Sequence, residues 1–163
     1  PTWKSYCGKI LRPNLFFSMF EISLLDRADL DEAYEIELST NPTPWSYENF
    51  TSSFKVGHHG LVCKENNLIM GFLIFSPIKP EAHLLSIAVK ETHERRGIGS
   101  LLISSMNKQC KAMGITQVFL EVRAGNDKSI SFYEGHDFLK DAVREKYYSG
   151  DVPEDALLMS LSF

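Results

Sequence analysis

The chain has 163 residues, enough for one domain that buries a substantial apolar core. Hydrophobic residues make up 44% of the chain and charged residues 23%, a composition typical of globular proteins that excludes a mainly disordered chain. The 17 basic and 21 acidic residues give a net charge of −4, which argues against non-specific nucleic-acid binding as the main function.

The N-terminal stretch has its own pattern. Residues 1–18 place Lys4, Lys9 and Arg12 ahead of an apolar run that is too short for a secretory signal. Met19 stands immediately before the first strand pattern, so we expect residues 1–18 to be an N-terminal extension and residues 19–163 to form the domain. No apolar run approaches the roughly 20 residues of a membrane-spanning helix. We therefore expect a cytoplasmic protein without membrane contact.

The cysteines do not form a metal-binding pattern. Cys7, Cys63 and Cys110 are far apart and include no CxxC pair. His58 and His59 precede Cys63, but no fourth ligand follows at zinc-site spacing. The sequence therefore predicts no metal site, with Cys63 and Cys110 as small core residues of a reduced protein.

The first third of the chain predicts a strand and two helices. Residues 20–24 alternate between apolar and polar, which indicates a strand. Asp29, with Glu32 three positions later, is a candidate capping pair for a helix that ends at Asn41-Pro42. Ser46 is a candidate cap for a short second helix.

The rest of the chain predicts strands interrupted by two further helices. Asn66-Asn67 is a turn signal between two strands, and the prolines at 77 and 80 interrupt the next connection. Gly114 ends a helix with an apolar stripe. The predicted strands are 60–64, 68–75, 82–89, 117–122, 138–143 and 156–161, and the predicted helices are 98–113 and 128–134. This order predicts an α/β protein with a mixed sheet.

A glycine-containing loop between a strand and a helix is the first candidate for chemistry. Strand residues 87–89 lead, seven residues later, into Arg96-Gly97-Ile98-Gly99-Ser100 at a helix start. Backbone N–H groups at a helix N-terminus and the helix dipole favour anions, and glycine permits close approach of a phosphate. The alternative is a tight loop with an ordinary helix cap.

Glu121 is the second candidate because it interrupts an apolar strand. A carboxylate in a half-buried strand costs free energy unless it is paired or functional. An ion pair with Arg123, two positions on and on the same face, is the structural alternative.

Three aromatic residues are ambiguous. Tyr133 could be a packing residue on its short helix. Trp45 and Tyr147 could belong to the core or the surface, or could line a groove for a peptide N-terminus, since aromatic side chains give contact area at low entropic cost.

From about Met19 to Leu161 the chain resembles the Gcn5-related N-acetyltransferase (GNAT) superfamily. Within it, the chain is similar to the ribosomal-protein-alanine N-acetyltransferases. The segments that carry the resemblance are Ser86-Ile87-Ala88-Val89, Arg95-Arg96-Gly97-Ile98-Gly99, Leu120-Glu121-Val122-Arg123-Ala124, Asn126, Phe132-Tyr133-Glu134, Tyr147-Tyr148, Asp155-Ala156 and Pro44-Trp45-Ser46.

The resemblance implies the GNAT fold, an α/β (α+β) arrangement. Its central sheet is mixed, mostly antiparallel and six- to seven-stranded, with about four flanking helices. The sheet should splay between strands 82–89 and 117–122 to leave an acetyl-CoA cleft. The residues that the resemblance implies for the cofactor are Ile87, Ala88, Val89, Arg95, Arg96, Gly97, Ile98, Gly99, Ser100 and Asn126.

The resemblance also implies roles in the reaction. Glu121 matches the general base, Tyr133 the general acid, and Trp45 and Tyr147 are candidates for the acceptor site. The implied activity is transfer of acetyl to the N-terminal α-amine of a protein, the alanine of small-subunit ribosomal protein eighteen, without metal or nucleic acid. The alternatives are acetylation of a small amine on the same scaffold and a non-catalytic acyl-CoA-binding module, against which Glu121 and Tyr133 weigh.

The chain departs from the family pattern at two places. Glu94 stands where the loop usually has Gln or Arg, so this carboxylate must point outward or be offset by Arg95 and Arg96. His136-Asp137-Phe138 replaces the usual Leu-Gly-Phe, and Asp tolerates the left-handed conformation that the glycine would adopt.

Overall fold

The computed structural model describes residues 19–163. The predicted extension of residues 1–18, and Cys7 within it, lie outside the described residues, so the division of the chain at Met19 stays a prediction.

Seven strands and four α-helices make up the described part of the chain. In chain order they are β1 Glu21–Leu24, α1 Leu30–Thr40, α2 Tyr47–Ser52, β2 His59–Glu65, β3 Leu68–Ile78, β4 Glu81–Val89, α3 Ile98–Ala112, β5 Gln117–Arg123, α4 Asp127–Glu134, β6 Leu139–Tyr148 and β7 Glu154–Ser162.

All strands join one sheet in the order β1-β2-β3-β4-β5-β7-β6. Neighbouring strands are antiparallel except β4 and β5, which are parallel. A parallel pair needs a crossover, and α3 supplies it. The predicted mixed, mostly antiparallel α/β sheet with four helices is thereby confirmed.

The two faces of the sheet bury separate cores. One cluster joins the apolar stripe of α3 and part of α4 to inward residues of β2–β5 and β7, and it holds Cys63 and Cys110 as fully buried thiols. Burial raises the pKa of both thiols to about 11. The second cluster lies under α1 and α2, where Phe50 packs on Phe72. Helices therefore cover both faces, and the parallel pair lies at the middle of the sheet.

Two local predictions need correction. Asp29 does not cap α1 with its side chain; its carboxylate accepts from the backbone N–H of Asp26 and pairs with Lys64 at 2.7 Å. The capping box is instead Asp26 with Asp29, one turn earlier. Strand β3 also continues through Pro77, because beyond Phe75 it has a strand neighbour on one side only, where proline is tolerated.

Candidate active site

The central opening in the sheet comes from the place where β4 and β5 part. They pair only from Glu81 with Gln117 to Leu84 with Leu120. At the same point β4 has a bulge, since Phe75 pairs with Leu84 but Ile74 with Ser86. A bulge adds a residue and bends the strand. Beyond it, β4 pairs only with β3 and β5 only with β7, so the strands splay as predicted.

A cavity of about 600 Å³ occupies the open side of β4. This volume is within the range of ligand sites. Its walls come from the end of β4, the loop that follows it, the first turn of α3, and α4. Of the residues predicted for the cofactor, those that line it are Ile87, Ala88, Val89, Arg95, Gly97, Ile98, Gly99 and Ser100.

The start of α3 presents backbone donors to this cavity. Gly97 is the N-cap residue, in a left-handed conformation with φ of 85°, and no side chain of the described chain caps this end. The first intrahelical bond of the helix runs from Leu101 N–H to Gly97 C=O at 3.0 Å. The N–H groups of Ile98, Gly99 and Ser100 therefore lack an intrahelical acceptor, and together with the helix dipole they favour an anion.

Helix α4 packs directly on this first turn. A Cβ on Gly99 would lie 2.9 Å from the ring of Phe132, so the glycine allows the two helices to approach. His136 links them further, with its Nε2 2.9 Å from Ser100 Oγ and its Nδ1 2.7 Å from the Phe132 carbonyl. Asp137 follows with φ of 66°, the left-handed conformation that its side chain tolerates. The prediction that Asp137 takes the left-handed conformation of the usual glycine is confirmed.

Two predicted cofactor residues do not line the cavity. Arg96 pairs with Glu65 on β2 at 3.0 Å and lies over the ring of Phe20. Asn126 is the N-cap of α4, where its Oδ1 accepts from Ser129 N–H at 3.1 Å. Their side chains hold the loop and the helix that form the cavity walls. Arg95, in contrast, lines the cavity and forms no ion pair with any residue from 19 to 163.

Glu94 is offset by a residue that the sequence did not indicate. Its carboxylate forms an ion pair with Lys128 at 2.5 Å, and both side chains line the cavity. The expected compensation by Arg95 and Arg96 is not what the structure has. Because the two residues are 34 positions apart, no local pattern in the sequence indicates that they pair.

Glu121 lies on the other face of the sheet from this cavity. Its neighbours Leu120 and Val122 point into the core under α3, so Glu121 points toward α1 and α2. Its side chain is 31% exposed and accepts from Arg144 Nη1 at 2.9 Å. The predicted alternative, a pair with Arg123, is wrong. Arg144 reaches across β7 from β6, a distance of about 10 Å for two strand spacings.

Arg123 instead contacts three separate segments of the chain near Glu121. It donates to Glu154 at 2.9 Å and to Thr43 at 2.8 Å, and its guanidinium lies over the ring of Tyr148. Thr43 precedes α2, and Glu154 and Tyr148 come from the last two strands. One side chain therefore joins the α1–α2 connection to the far end of the sheet.

Tyr133 is 9% exposed and lines the cavity from α4. Burial raises its pKa far above the ordinary value, and nearby Tyr148 adds to the increase. Burial and the Glu121 carboxylate raise the pKa of Tyr148. Tyr148 therefore lies near both Glu121 and Tyr133.

The two predicted acceptor residues differ. Tyr147 is exposed and lies under the guanidinium of Arg144, and its hydrogen bond to Glu121 raises its pKa. Trp45 is only partly buried and packs against the second core next to Phe50. Its backbone N–H donates to Glu37, a carboxylate that is 1% exposed. Trp45 therefore has a core contact, and its role at an acceptor site stays a prediction.

Two further features concern the described residues as a whole. Between residues 19 and 163 no cluster of three His, Cys, Asp or Glu side chains has the arrangement of a metal site. The helices of that range are all too short or too polar to cross a membrane.

Comparison with known proteins agrees with this fold. The model of the family described as "Acetyltransferase (GNAT) family" matches residues 27–138 of this chain. The chain therefore belongs to the GNAT family of acetyltransferases, and it is an enzyme that uses acetyl-CoA as the acetyl donor, as the sequence predicts.

The similar proteins include two bacterial enzymes of one specificity. The [ribosomal protein bS18]-alanine N-acetyltransferase of Escherichia coli K12 is 33% identical over 144 residues, 88% of this chain and 97% of the relative. That of Haemophilus influenzae is 33% identical over 127 residues, 78% of this chain and 86% of the relative.

Two solved structures are also similar to this chain. The crystal structure of the E. coli ribosomal-protein-S18-alanine N-acetyltransferase matches with a TM-score of 0.82 at 33% identity, over 88% of this chain and 93% of that chain. Ard1 of Thermoplasma volcanium matches with a TM-score of 0.82 at 25% identity, over 88% and 97%.

Proposed function

We propose that this enzyme transfers acetyl from acetyl-CoA to the N-terminal α-amine of a protein in the cytoplasm, with an alanine-starting ribosomal protein as its acceptor. The observation that carries the proposal is the opening between β4 and β5, with a backbone cradle on one face and Glu121 on the other. The specificity of the relatives for ribosomal protein bS18 supports the choice of acceptor.

The cavity fits the donor in size and in chemistry. Acetyl-CoA supplies an acetyl thioester on an extended arm that ends in a diphosphate. The edge of β4 that faces away from β3 offers backbone groups to the amides of the arm from Ile87 to Val89. The N-terminus of α3, with Arg95 beside it, suits the diphosphate.

Glu121 is suited to accept the proton of the attacking amine. A model α-amine has a pKa of about 8, so about a tenth is neutral at pH 7, whereas a lysine near 10.4 is neutral to only about 0.04%. A carboxylate positioned by Arg144 and Tyr147 attracts the ammonium form and then accepts its proton, directly or through a water.

Tyr133 is suited to return a proton to the departing thiolate of CoA. Its buried hydroxyl remains protonated across the physiological range because burial raises its pKa. The thiolate that leaves as the carbon–sulfur bond breaks accepts that proton and becomes the CoA thiol, whose pKa is about 8.5. Support comes from Tyr133 lining the cavity that we assign to the donor.

The surface around Glu121 is suited to a chain terminus. Tyr147 forms a hydrogen bond with Glu121, and Arg123, two positions on along the same strand face, pairs with Glu154. Trp45 follows two residues after Thr43, a hydrogen-bond partner of Arg123. A positively charged amine next to an aromatic surface matches this arrangement.

Substitution at the cradle should weaken donor binding. In Gly99→Glu the new side chain meets the Phe132 ring, 2.9 Å from the ideal Cβ position, and adds a negative charge beside the diphosphate. We expect at least tenfold weaker acetyl-CoA binding, measured by calorimetry, since about 1.4 kcal/mol suffices for that change. Gly97→Glu should act similarly, because Gly97 has φ of 85°.

The matched control is Gly150→Glu, which adds the same charge at a turn where the nearest atom to a Cβ is 3.8 Å away. It should bind acetyl-CoA like the unmodified enzyme. Unchanged affinity in both cradle variants would show that the diphosphate binds elsewhere.

A further inference from the structure

We propose that the ion pair between Glu94 and Lys128 sets the charge at the rim of the cavity and thereby the affinity for the phosphates of acetyl-CoA. Lys128 favours binding and Glu94 opposes it. This inference rests on the proposed function, because it assumes that the donor occupies this cavity.

The two residues come from opposite walls. Glu94 stands in the loop that leads into α3, and Lys128 lies in the first turn of α4. Lys128 Nζ and Glu94 Oε2 are 2.5 Å apart, and the side chains are 73% and 36% exposed. Both line the cavity, so the pair forms part of its solvent-facing rim.

Few charges are available to hold phosphates here. Among residues 19–163, the Asp, Glu, Lys and Arg side chains that line the cavity are Glu94, Arg95 and Lys128, which carry a formal charge of +1 in total; His93 also lines it. The other cations of the loop, Lys90 and Arg96, are paired with Glu32 and Glu65. One carboxylate therefore cancels half of the positive charge at the rim.

The sign of the effect follows from Coulomb's law. A carboxylate repels a bound diphosphate and an ammonium attracts it, and each interaction is screened because the pair is exposed. Removal of Glu94 should leave Lys128 free to contact phosphate oxygens. Removal of Lys128 should leave Glu94 uncompensated beside the anion.

The alternative is a purely structural tie that holds α4 against the loop. In that case the loss of either partner loosens the cavity, and every variant binds acetyl-CoA more weakly. The two explanations predict opposite signs for Glu94→Gln.

The test is calorimetric titration of acetyl-CoA into the unmodified enzyme, Glu94→Gln, Lys128→Met and the double variant. At low salt we expect about fivefold tighter binding for Glu94→Gln, about fivefold weaker binding for Lys128→Met, and near-normal affinity for the double variant. The differences should shrink between about 0.01 M and about 1 M salt, as the Debye length falls from about 30 Å to about 3 Å. Acetyl-pantetheine, which has no phosphate, should bind all four alike.

Glu134→Gln and Lys140→Met are matched controls, since this exposed pair at 3.0 Å does not line the cavity. Both should leave acetyl-CoA affinity unchanged. Unchanged or weaker binding by Glu94→Gln overturns the inference. If Gly99→Glu still binds normally, the proposed donor site is wrong as well, so the two failures are distinguishable.

Discussion

Tyr133→Phe should lower turnover by about 10²- to 10⁴-fold while acetyl-CoA binding stays nearly normal. The substitution removes one hydroxyl and little volume from a side chain that is 9% exposed, so the packing against Phe138 is retained. The thiolate would then leave without a proton donor. Turnover is measured with saturating peptide and acetyl-CoA, and affinity by calorimetry.

Tyr47→Phe is the control for the loss of a tyrosine hydroxyl. Tyr47 donates to Asp31 on the surface of α1 and does not line the cavity. It should turn over normally. Normal turnover by Tyr133→Phe under the same conditions would remove this residue from the mechanism.

Glu121→Gln should lower activity at neutral pH by a similar factor, because the amide has the shape of the carboxylate without its proton-accepting power. The activity should recover in part at high pH, where the amine is already neutral. A pH–rate profile of the variant measures this. If the carboxylate only pairs with Arg144, activity per folded molecule should instead hold at every pH.

Arg144→Met is the matched variant for this test. It removes the same 2.9 Å ion pair but leaves the carboxylate in place. The unfolding temperatures of the two variants should therefore fall by similar amounts. Any loss of rate in Glu121→Gln beyond that in Arg144→Met is then due to the missing carboxylate. A similar loss of thermal stability in both variants, with full activity per folded molecule in Glu121→Gln, would assign Glu121 a structural role.

Local sequence patterns predicted most of the architecture. Asn66 and Asn67 adopt φ of 51° and 64° at the β2–β3 turn, where their side chains tolerate positive φ. Ser46 caps α2 through Asn49 N–H, and Gly114 follows α3 with φ of 76°. Such signals involve neighbours within a few residues, so one sequence contains them in full.

The side-chain partners at the site could not be predicted in the same way. Glu121 pairs with Arg144 on β6 rather than with Arg123 on its own strand. This pairing depends on the strand order β5-β7-β6, which places β6 two strands away from Glu121. The Lys128 partner of Glu94 depends on how α4 docks against the loop before α3. These pairings follow from strand order and helix docking, which alternation and spacing do not encode.

The central claim is that the enzyme acetylates a protein N-terminus. Its most direct test compares a peptide that has a free N-terminal alanine and no lysine with the same peptide blocked at its N-terminus and given one lysine. A panel of small amines, such as polyamines and amino acids, extends the comparison. Acetyl-CoA turnover is measured at pH 7 for each acceptor.

For an enzyme that acetylates protein N-termini, we expect kcat/KM for the free α-amine to exceed that for the lysine peptide by about two hundredfold, since the pKa values of the model amines differ by about 2.4 units. Equal or faster acetylation of the lysine peptide or of a small amine would contradict it.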